Sequence, residues 1–346
     1  MERVRIAIDC MGGDNAPEAP VAGALDALAA SSEIEVILVG REEEIQKALA
    51  GKKYDAGRLS IRNASEVIET AEHPVKAINS KKDSSMVVSL KLVKEGEADA
   101  VLSAGNSGAL LVGGQTIVGR LPGVKRAPFG AMIPTTHGGS LLVDSGANVD
   151  CRPDMLIDFA RLGSVYVSEV LGRKNPSVGL VNIGAEEEKG NALVKETIPL
   201  LREAAGLNFV GSVEARDIPE TPVDIIVCDA FVGNVVIKMY EGVAKTMMKA
   251  LQTGFKSNPV SALGALMSLP SLKKSLKDFD VSQYGGAPLL GLKGLVMKTH
   301  GSAKAKEFTN SCLQMIAFVR NDVVGKMQKA LAEAEKSKTA ESASTE

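Results

Sequence analysis

The chain has 346 residues, 45% of them hydrophobic, enough to bury a substantial core and too many for a free-standing small module. A formal charge of −2 gives no overall attraction to nucleic acid, so an acidic partner must be met by a local basic patch. Four cysteines without CxxC spacing and no secretory or transit pattern lead us to expect a reducing cytoplasm, and no apolar run reaches the roughly 18 residues of a membrane-spanning helix.

In chain order, several apolar runs read as buried strands that break into a turn rich in glycine or asparagine and then into a helical pattern. Residues 4–9 lead into Cys10-Met11-Gly12-Gly13-Asp14-Asn15-Ala16-Pro17 and a helix over 16–30. Helices over 42–50 and 84–95 precede the strand 100–104, which opens into Gly105-Asn106-Ser107-Gly108 and a helix over 107–120. Residues 129–133 and 140–144 flank a glycine-containing turn and read as a β-hairpin, so the sheet is mixed although mostly parallel. The second of these strands opens into Ser145-Gly146-Ala147-Asn148, ahead of a helix over 153–171.

Farther along, the strand 178–183 leads into 184–191, with a helix drawn over 186–204, and the strand 225–229 leads into Phe231-Val232-Gly233-Asn234. Val236, Tyr240, Val243, Met247 and Leu251 then recur at helical spacing. A second helix over 260–277, a turn over 282–288, an apolar segment over 289–297 and one helix from about 303 to 333 complete the pattern. The polar residues 334–346 are expected to be a disordered tail. The class is α/β.

In a parallel sheet, strand ends and the following helix N-termini collect at one edge, so these turns are expected to converge on one crevice. Helix N-termini offer unpaired N–H groups and the positive end of a dipole, and phosphate is the simplest occupant. The turn holding Gly12, Gly13 and Asp14 has neither GxxxxGK[ST] nor GxGxxG, which counts against ATP and against a dinucleotide. Its glycine pair reads as turn geometry or as ligand contact, and Asp14 as a ligand contact or as a helix cap. Ser103, Gly105, Asn106 and Ser107 form a stronger candidate, with an ordinary cap as the alternative. Asp144 and Asn148 read as site residues or as a turn closed by the aspartate's own side chain.

Lys189, drawn in the first turn of a helix after Glu186-Glu187-Glu188, opposes the helix dipole. It is either held for an anionic substrate or paired to its acidic neighbours. Asn234 precedes the long helix and reads as a donor to a developing oxyanion or as a plain cap. Among the histidines only His300 ends an apolar segment, and His73 and His137 complete no metal-ligand spacing, so no metal is expected. There is no GxSxG elbow and no HExxH. Cys10 reads as a nucleophile or, more simply, as an inert buried thiol.

With these residues together, the chain resembles the bacterial phosphate acyltransferases, which form acyl phosphate from acyl-[acyl-carrier-protein] and inorganic phosphate for phospholipid synthesis. The resemblance runs from Ile8-Asp9-Cys10-Met11-Gly12-Gly13-Asp14 to Lys298-Thr299-His300-Gly301-Ser302, through residues 103–108, 144–150, 182–191, 228–234 and 284–291. Cys10 stands where the family usually has alanine, Ala230 where it has glycine, and Ser107 where threonine is frequent, and the first departure argues against catalysis by Cys10.

The resemblance implies a three-layer α/β/α fold akin to isocitrate and isopropylmalate dehydrogenases, a single domain over 1–333 with a protruding helical segment over about 235–280, and a homodimer. It also implies no cofactor, and attachment to the cytoplasmic face of the membrane, where a membrane-bound glycerol-phosphate acyltransferase takes the product. By matching position it makes Lys189 and Asn234 the catalytic pair, with Gly12, Gly13, Asp14, Ser103, Gly105, Asn106, Ser107, Asp144, Asn148, Asn191, Gly233 and His300 as walls of the substrate site.

The expected chemistry is direct attack of phosphate on the thioester carbonyl, with Lys189 on the phosphate and Asn234 on the oxyanion. The rivals are a nicotinamide-dependent dehydrogenase on the same fold and a non-catalytic membrane-associated scaffold for the acyl-carrier protein. Val260, Leu263, Leu266, Met267, Leu269, Leu272 and Leu276, with Lys256, Lys273, Lys274 and Lys277, read as a membrane-interface segment or as a helical hairpin buried in a dimer.

Overall fold

The computed structural model describes residues 2–276 and 284–343, with backbone alone at 273–276 and 338–343. The first half alternates strand and helix: β1 (Val4–Asp9), α1 (Glu18–Ala30), β2 (Ile34–Gly40), α2 (Glu42–Leu49), β3 (Leu59–Asn63), α3 (Pro74–Ser80), α4 (Ser85–Lys94), β4 (Ala100–Ser103) and α5 (Ser107–Gly113). The middle holds β5 (Gly130–Ile133), β6 (Ser140–Val143), α6 (Pro153–Leu171), β7 (Ser177–Asn182), α7 (Ala192–Glu203), β8 (Asn208–Glu214) and β9 (Ile225–Val227). Then come α8 (Ala230–Phe255), α9 (Pro259–Leu276), β10 (Ala287–Leu289), β11 (Leu295–Lys298), α10 (Ala305–Arg320) and α11 (Val323–Ala343).

The strands form two sheets, ordered β10-β11-β4-β1-β2-β3 and β5-β6-β9-β7-β8. Every pairing is parallel except those of β10 with β11 and of β5 with β6. This is the expected mixed, mostly parallel α/β arrangement, and the β5–β6 hairpin is the one read from the sequence. β1 and β4 are apolar throughout their middles because helices cover both faces of a parallel sheet. The sheets abut where Phe129 bridges to Leu289 and the Leu290 N–H donates to the Pro128 carbonyl at 2.9 Å. One continuous core, including Ile6, Leu38, Phe159, Tyr166 and Phe308, spans both.

Several elements depart from the sequence reading. The apolar stretch 289–297 is two strands, because Gly291 takes φ +79° and turns the chain between them. The long C-terminal helix is two, broken at Asp322, whose φ is +47° and whose carboxylate caps the Gly325 N–H. Residues 334–343, expected as disordered tail, continue α11, in keeping with the helix propensity of Ala, Glu and Lys. The helix drawn from 186 begins only at Ala192, since Gly190 at φ +103° cannot continue a helix and Asn191 caps the Val194 N–H. Lys189 therefore lies in a loop.

The C-terminal ends of β1, β4 and β11 on one side, and of β6 and β9 on the other, face each other. α8 is drawn close to this edge by Gly233, where a Cβ would stand 1.9 Å from the Asp144 carbonyl oxygen. A Gly233→Ala variant should therefore lose about 1–3 kcal/mol in urea unfolding, while Gly242→Ala on the same helix, with nothing within 4 Å of the added Cβ, should gain about 0.5–1 kcal/mol.

Candidate functional site

On the first-sheet side, Asp9 closes β1 fully buried, and its carboxylate accepts from Ser103 Oγ at 2.6 Å and the Met11 N–H at 3.3 Å. Burial pushes this carboxyl above its usual range, and the hydrogen bonds partly offset that. Ser103 Oγ in turn accepts the Gly105 N–H at 3.0 Å. Gly12 must be glycine because a Cβ there would lie 2.7 Å from the Gly105 nitrogen, and Gly13 takes φ +97° against Ala104 and the Gly301 carbonyl. The Asp14 N–H donates to that same carbonyl at 2.8 Å. Gly12, Gly13, Ser103 and Gly105 thus brace three turns against one another. Asp14 is exposed and does not cap α1, whose N-cap position is Pro17.

Asn106 caps α5 by accepting the Ala109 N–H at 2.9 Å, and its Nδ2 points to the carbonyls of Glu69, Thr70 and Glu72. With its amide engaged in structure, the neighbouring Ser107 is the residue that reaches the open side.

On the second-sheet side, the buried Asp144 carboxylate accepts the N–H groups of Phe129, Gly146, Ala147 and Asn148, and the Asn148 Nδ2 at 2.7 Å. Asn148 also donates to the Ala127 carbonyl. These two residues are the turn-closing aspartate and its brace, and they leave Ser145 and Gly146 facing outward. Asp229 caps α8 by accepting the Val232 N–H at 2.9 Å, so Asn234, the fifth residue of the helix, lies just past its first turn and is not the cap. Asn234, Ile237, Lys238 and Glu241 share one face of α8.

Between the two sides lies a cleft of about 350 Å³. Ser107, Lys298, Thr299, His300 and Gly301 line one wall, and Ser145, Gly146, Asn234 and Lys238 the other, with Phe129, Ala131 and Met132 apolar between them. Tyr284, Gly285 and Gly286 complete the lining, and residues 282–283 of that expected turn lie outside the described residues.

Lys298 is half-buried at the end of β11, with Nζ bonded to the Ala104 carbonyl at 3.3 Å and to the Thr299 carbonyl. Burial lowers its pKa to about 8, with Asp9 and Asp14 opposing the shift and Lys238 adding to it. His300 Nδ1 sits 2.8 Å from Ser302 Oγ.

The structure thus gathers Ser107, Asn234 and His300 on the cleft, with Gly12, Gly13, Ser103, Gly105, Asp144, Asn148 and Gly233 as its scaffold. Lys189 and Asn191 are not on it. Lys189 is exposed at the end of β7, one strand beyond β9, with Nζ 2.8 Å from a Glu186 carboxylate oxygen that raises its pKa. Lys298, Lys238, Ser145 and Tyr284 were not singled out from the sequence. The signal for Lys238 was its spacing of one helical turn from Asn234. That for Lys298 was a cation closing an apolar strand.

Cys10 and Cys228 are buried with thiols pushed up by burial, and neither lines the cleft. Among the described residues, no three His, Cys, Asp or Glu side chains are grouped to hold a metal ion.

Residues 4–326 match the family model described as fatty acid synthesis protein. A phosphate acyltransferase of Clostridium acetobutylicum is 47% identical over 328 residues, covering 95% of this chain and 99% of its own. One from Alkaliphilus oremlandii is 47% identical over 321 residues, covering 93% and 95%. Among solved structures, the EutD phosphotransacetylase from Staphylococcus aureus superposes with a TM-score of 0.58 at 15% identity over 92% of this chain and 94% of its own. A branched-chain phosphotransacylase from Enterococcus faecalis gives 0.55 at 16% identity, over 91% and 99%. At such identity these two likenesses are of fold.

The lowered pKa of Lys298 fixes a stability signature. The folded chain binds fewer protons at this site than the unfolded chain between about pH 8 and 10.5, so the stability contributed by Lys298 rises with pH across that window. Relative to Lys298→Met, the parent should gain roughly 2.5 kcal/mol in urea unfolding between those limits. A difference that stays flat with pH contradicts the burial of the charge.

Proposed function

We infer function from the premise that the chain belongs to the fatty acid synthesis protein family. It is an acyltransferase that works with phosphate. We propose that its donor is acyl-[acyl-carrier-protein] and that its product, acyl phosphate, feeds phospholipid synthesis.

The observation that supports this reading is the cleft itself, where strand-end turns from both sheets meet around Asn234 at the start of the second turn of α8. A phosphate oxygen attacks the thioester carbonyl, the negative charge moves to the carbonyl oxygen, and its return expels the carrier thiolate. Phosphate is already ionised near neutral pH, so no serine–histidine pair has to generate a nucleophile. Positioning and electrostatic stabilisation are what the protein supplies. The Asn234 amide is a neutral donor for the developing oxyanion. Lys189 keeps its proposed place beside Asn234 on the strength of the resemblance. To reach phosphate it must leave Glu186 and cross from the neighbouring strand end.

The partners we propose are the acyl-carrier protein, inorganic phosphate, a second copy of the chain, and a membrane-bound glycerol-phosphate acyltransferase at the cytoplasmic membrane surface. No helix among the described residues is long and apolar enough to cross a membrane. α8 and α9 instead carry exposed apolar side chains, including Val260 (80% exposed), Met267 (78%) and Leu266 (68%), which suits contact with an interface. Lys277 of that segment lies outside the described residues, as do the side chains of Lys273, Lys274 and Leu276.

Mixing the purified protein with acyl-carrier thioester and phosphate should yield acyl phosphate, and Asn234→Ala should lower turnover by ~10²-fold or more with folding intact. Reduction of a nicotinamide cofactor would favour the dehydrogenase reading. Carrier binding with no product from the parent would favour the scaffold. In vesicle flotation, a Leu266→Glu, Leu269→Glu variant should lose binding to anionic liposomes, and undiminished binding would remove the membrane proposal.

A further inference from the structure

The cleft carries two lysines that its described carboxylates leave under-neutralised. Lys298 comes from β11 of the first sheet and Lys238 from α8, which follows β9 of the second, and both line the same cavity. Among the described residues, no carboxylate lies within 4.0 Å of Lys298 Nζ, which is held by the Ala104 and Thr299 carbonyls. Lys238 has Glu241 of its own helix at 3.5 Å. Asp9, which is buried, is engaged by Ser103 and the Met11 N–H, and Asp14 is exposed beside Gly301; both act on Lys298 through space without an ion pair.

Two cations on one partly desolvated cleft repel each other, and the arrangement is relieved by an anion between them. Resting on the acyl-phosphate reading above, we propose that Lys298 and Lys238 hold the phosphate nucleophile between the two sheets, Lys298 as the fixed anchor and Lys238 as the arm that exchanges Glu241 for phosphate.

A tetrahedral dianion has oxygens for both ammonium groups and for the Ser107 hydroxyl, each able to accept a further hydrogen bond from Lys189 when it crosses, while one oxygen remains free to attack the carbonyl beside Asn234. The carbonyls of Ala104 and Thr299 orient Lys298 without neutralising it, so its charge remains available to the ligand. Its lowered pKa reflects burial of an ammonium that Asp9 and Asp14 only partly offset, a situation found at binding sites.

The test varies inorganic phosphate in two readouts, initial rates of acyl phosphate formation and direct calorimetric titration of the full chain without thioester. Lys298→Met and Lys238→Met should each raise the phosphate KM and Kd by ~10-fold or more while the thioester KM stays within about twofold, and Lys298→Arg should recover most of the loss. The parent's phosphate affinity should also fall as pH rises through about 8, a limb that Lys298→Arg removes. The titratable groups around Lys298 in that experiment are Asp9, Asp14, Lys238, Glu241, Tyr284 and His300.

Unchanged phosphate KM and Kd in both methionine variants overturns the assignment, even if the parent makes acyl phosphate. If the parent makes none, the functional reading fails, and the calorimetric titration still decides whether the lysine pair binds phosphate. Lys238 is exposed on α8, so its variant keeps the test open should Lys298→Met fail to fold.

Discussion

Each side of the cleft is tied together by one buried carboxylate at the end of a strand. Asp144 gathers four backbone N–H groups and the Asn148 amide, and Asp9 gathers Ser103 and the Met11 N–H. Without these acceptors the turns would leave several buried or part-buried donors unsatisfied, at about 1–3 kcal/mol for each one shielded from water. Burial pushes both carboxyls upward, and the surrounding donors oppose that shift. Of the wall residues, Ser145 sits in the turn that Asp144 closes and Ser107 follows the turn that Asp9 and Ser103 brace, whereas Asn234 is held by α8 under its Asp229 cap and Lys298 by the end of β11. The remaining constraint is close backbone approach: Gly12 against Gly105, and Gly233 against Asp144.

This construction is compatible with the proposed acyl transfer by direct attack of phosphate. The buried thiols are unsuited to ionise at neutral pH, and the hydroxyl of Ser145 donates to the Phe129 carbonyl. What the cleft offers is charge and direction: cations from both sides, a neutral amide, and an apolar strip of Phe129, Ala131 and Met132 alongside them. An anionic nucleophile and an acyl chain call for those two kinds of surface. α8 runs from this cleft to the exposed apolar side chains farther along it and on α9, so the proposed membrane-facing surface and the reaction site share one helix.

Much of the fold was legible because the signals were periodic. Buried parallel strands appear as apolar runs, and α6 carried both a proline start and a glycine stop. The turns were legible as a shared grammar, and most of them do meet. Their individual roles were not, because an asparagine or aspartate that closes a turn has the same sequence signature as one that binds a ligand. Asn106, Asp144 and Asn148 turned inward to backbone groups, and Ser107 and Ser145 beside them faced out. Lys298 was hidden for a different reason: its significance comes from burial and from Lys238, 60 positions earlier in the chain, and neither is a local property. The loop holding Lys189 was misdrawn as helix because three glutamates favour a first turn, whereas Gly190 and Asn191 set the actual start.

The central claim is that phosphate itself is the nucleophile in a cleft shared by both sheets. The most direct measurement is the initial-rate pattern with acyl-carrier thioester and phosphate varied together. The account predicts intersecting double-reciprocal lines, as both substrates must occupy the cleft before any bond breaks. Parallel lines, the signature of a covalent acyl-enzyme released by phosphate in a second step, would contradict it.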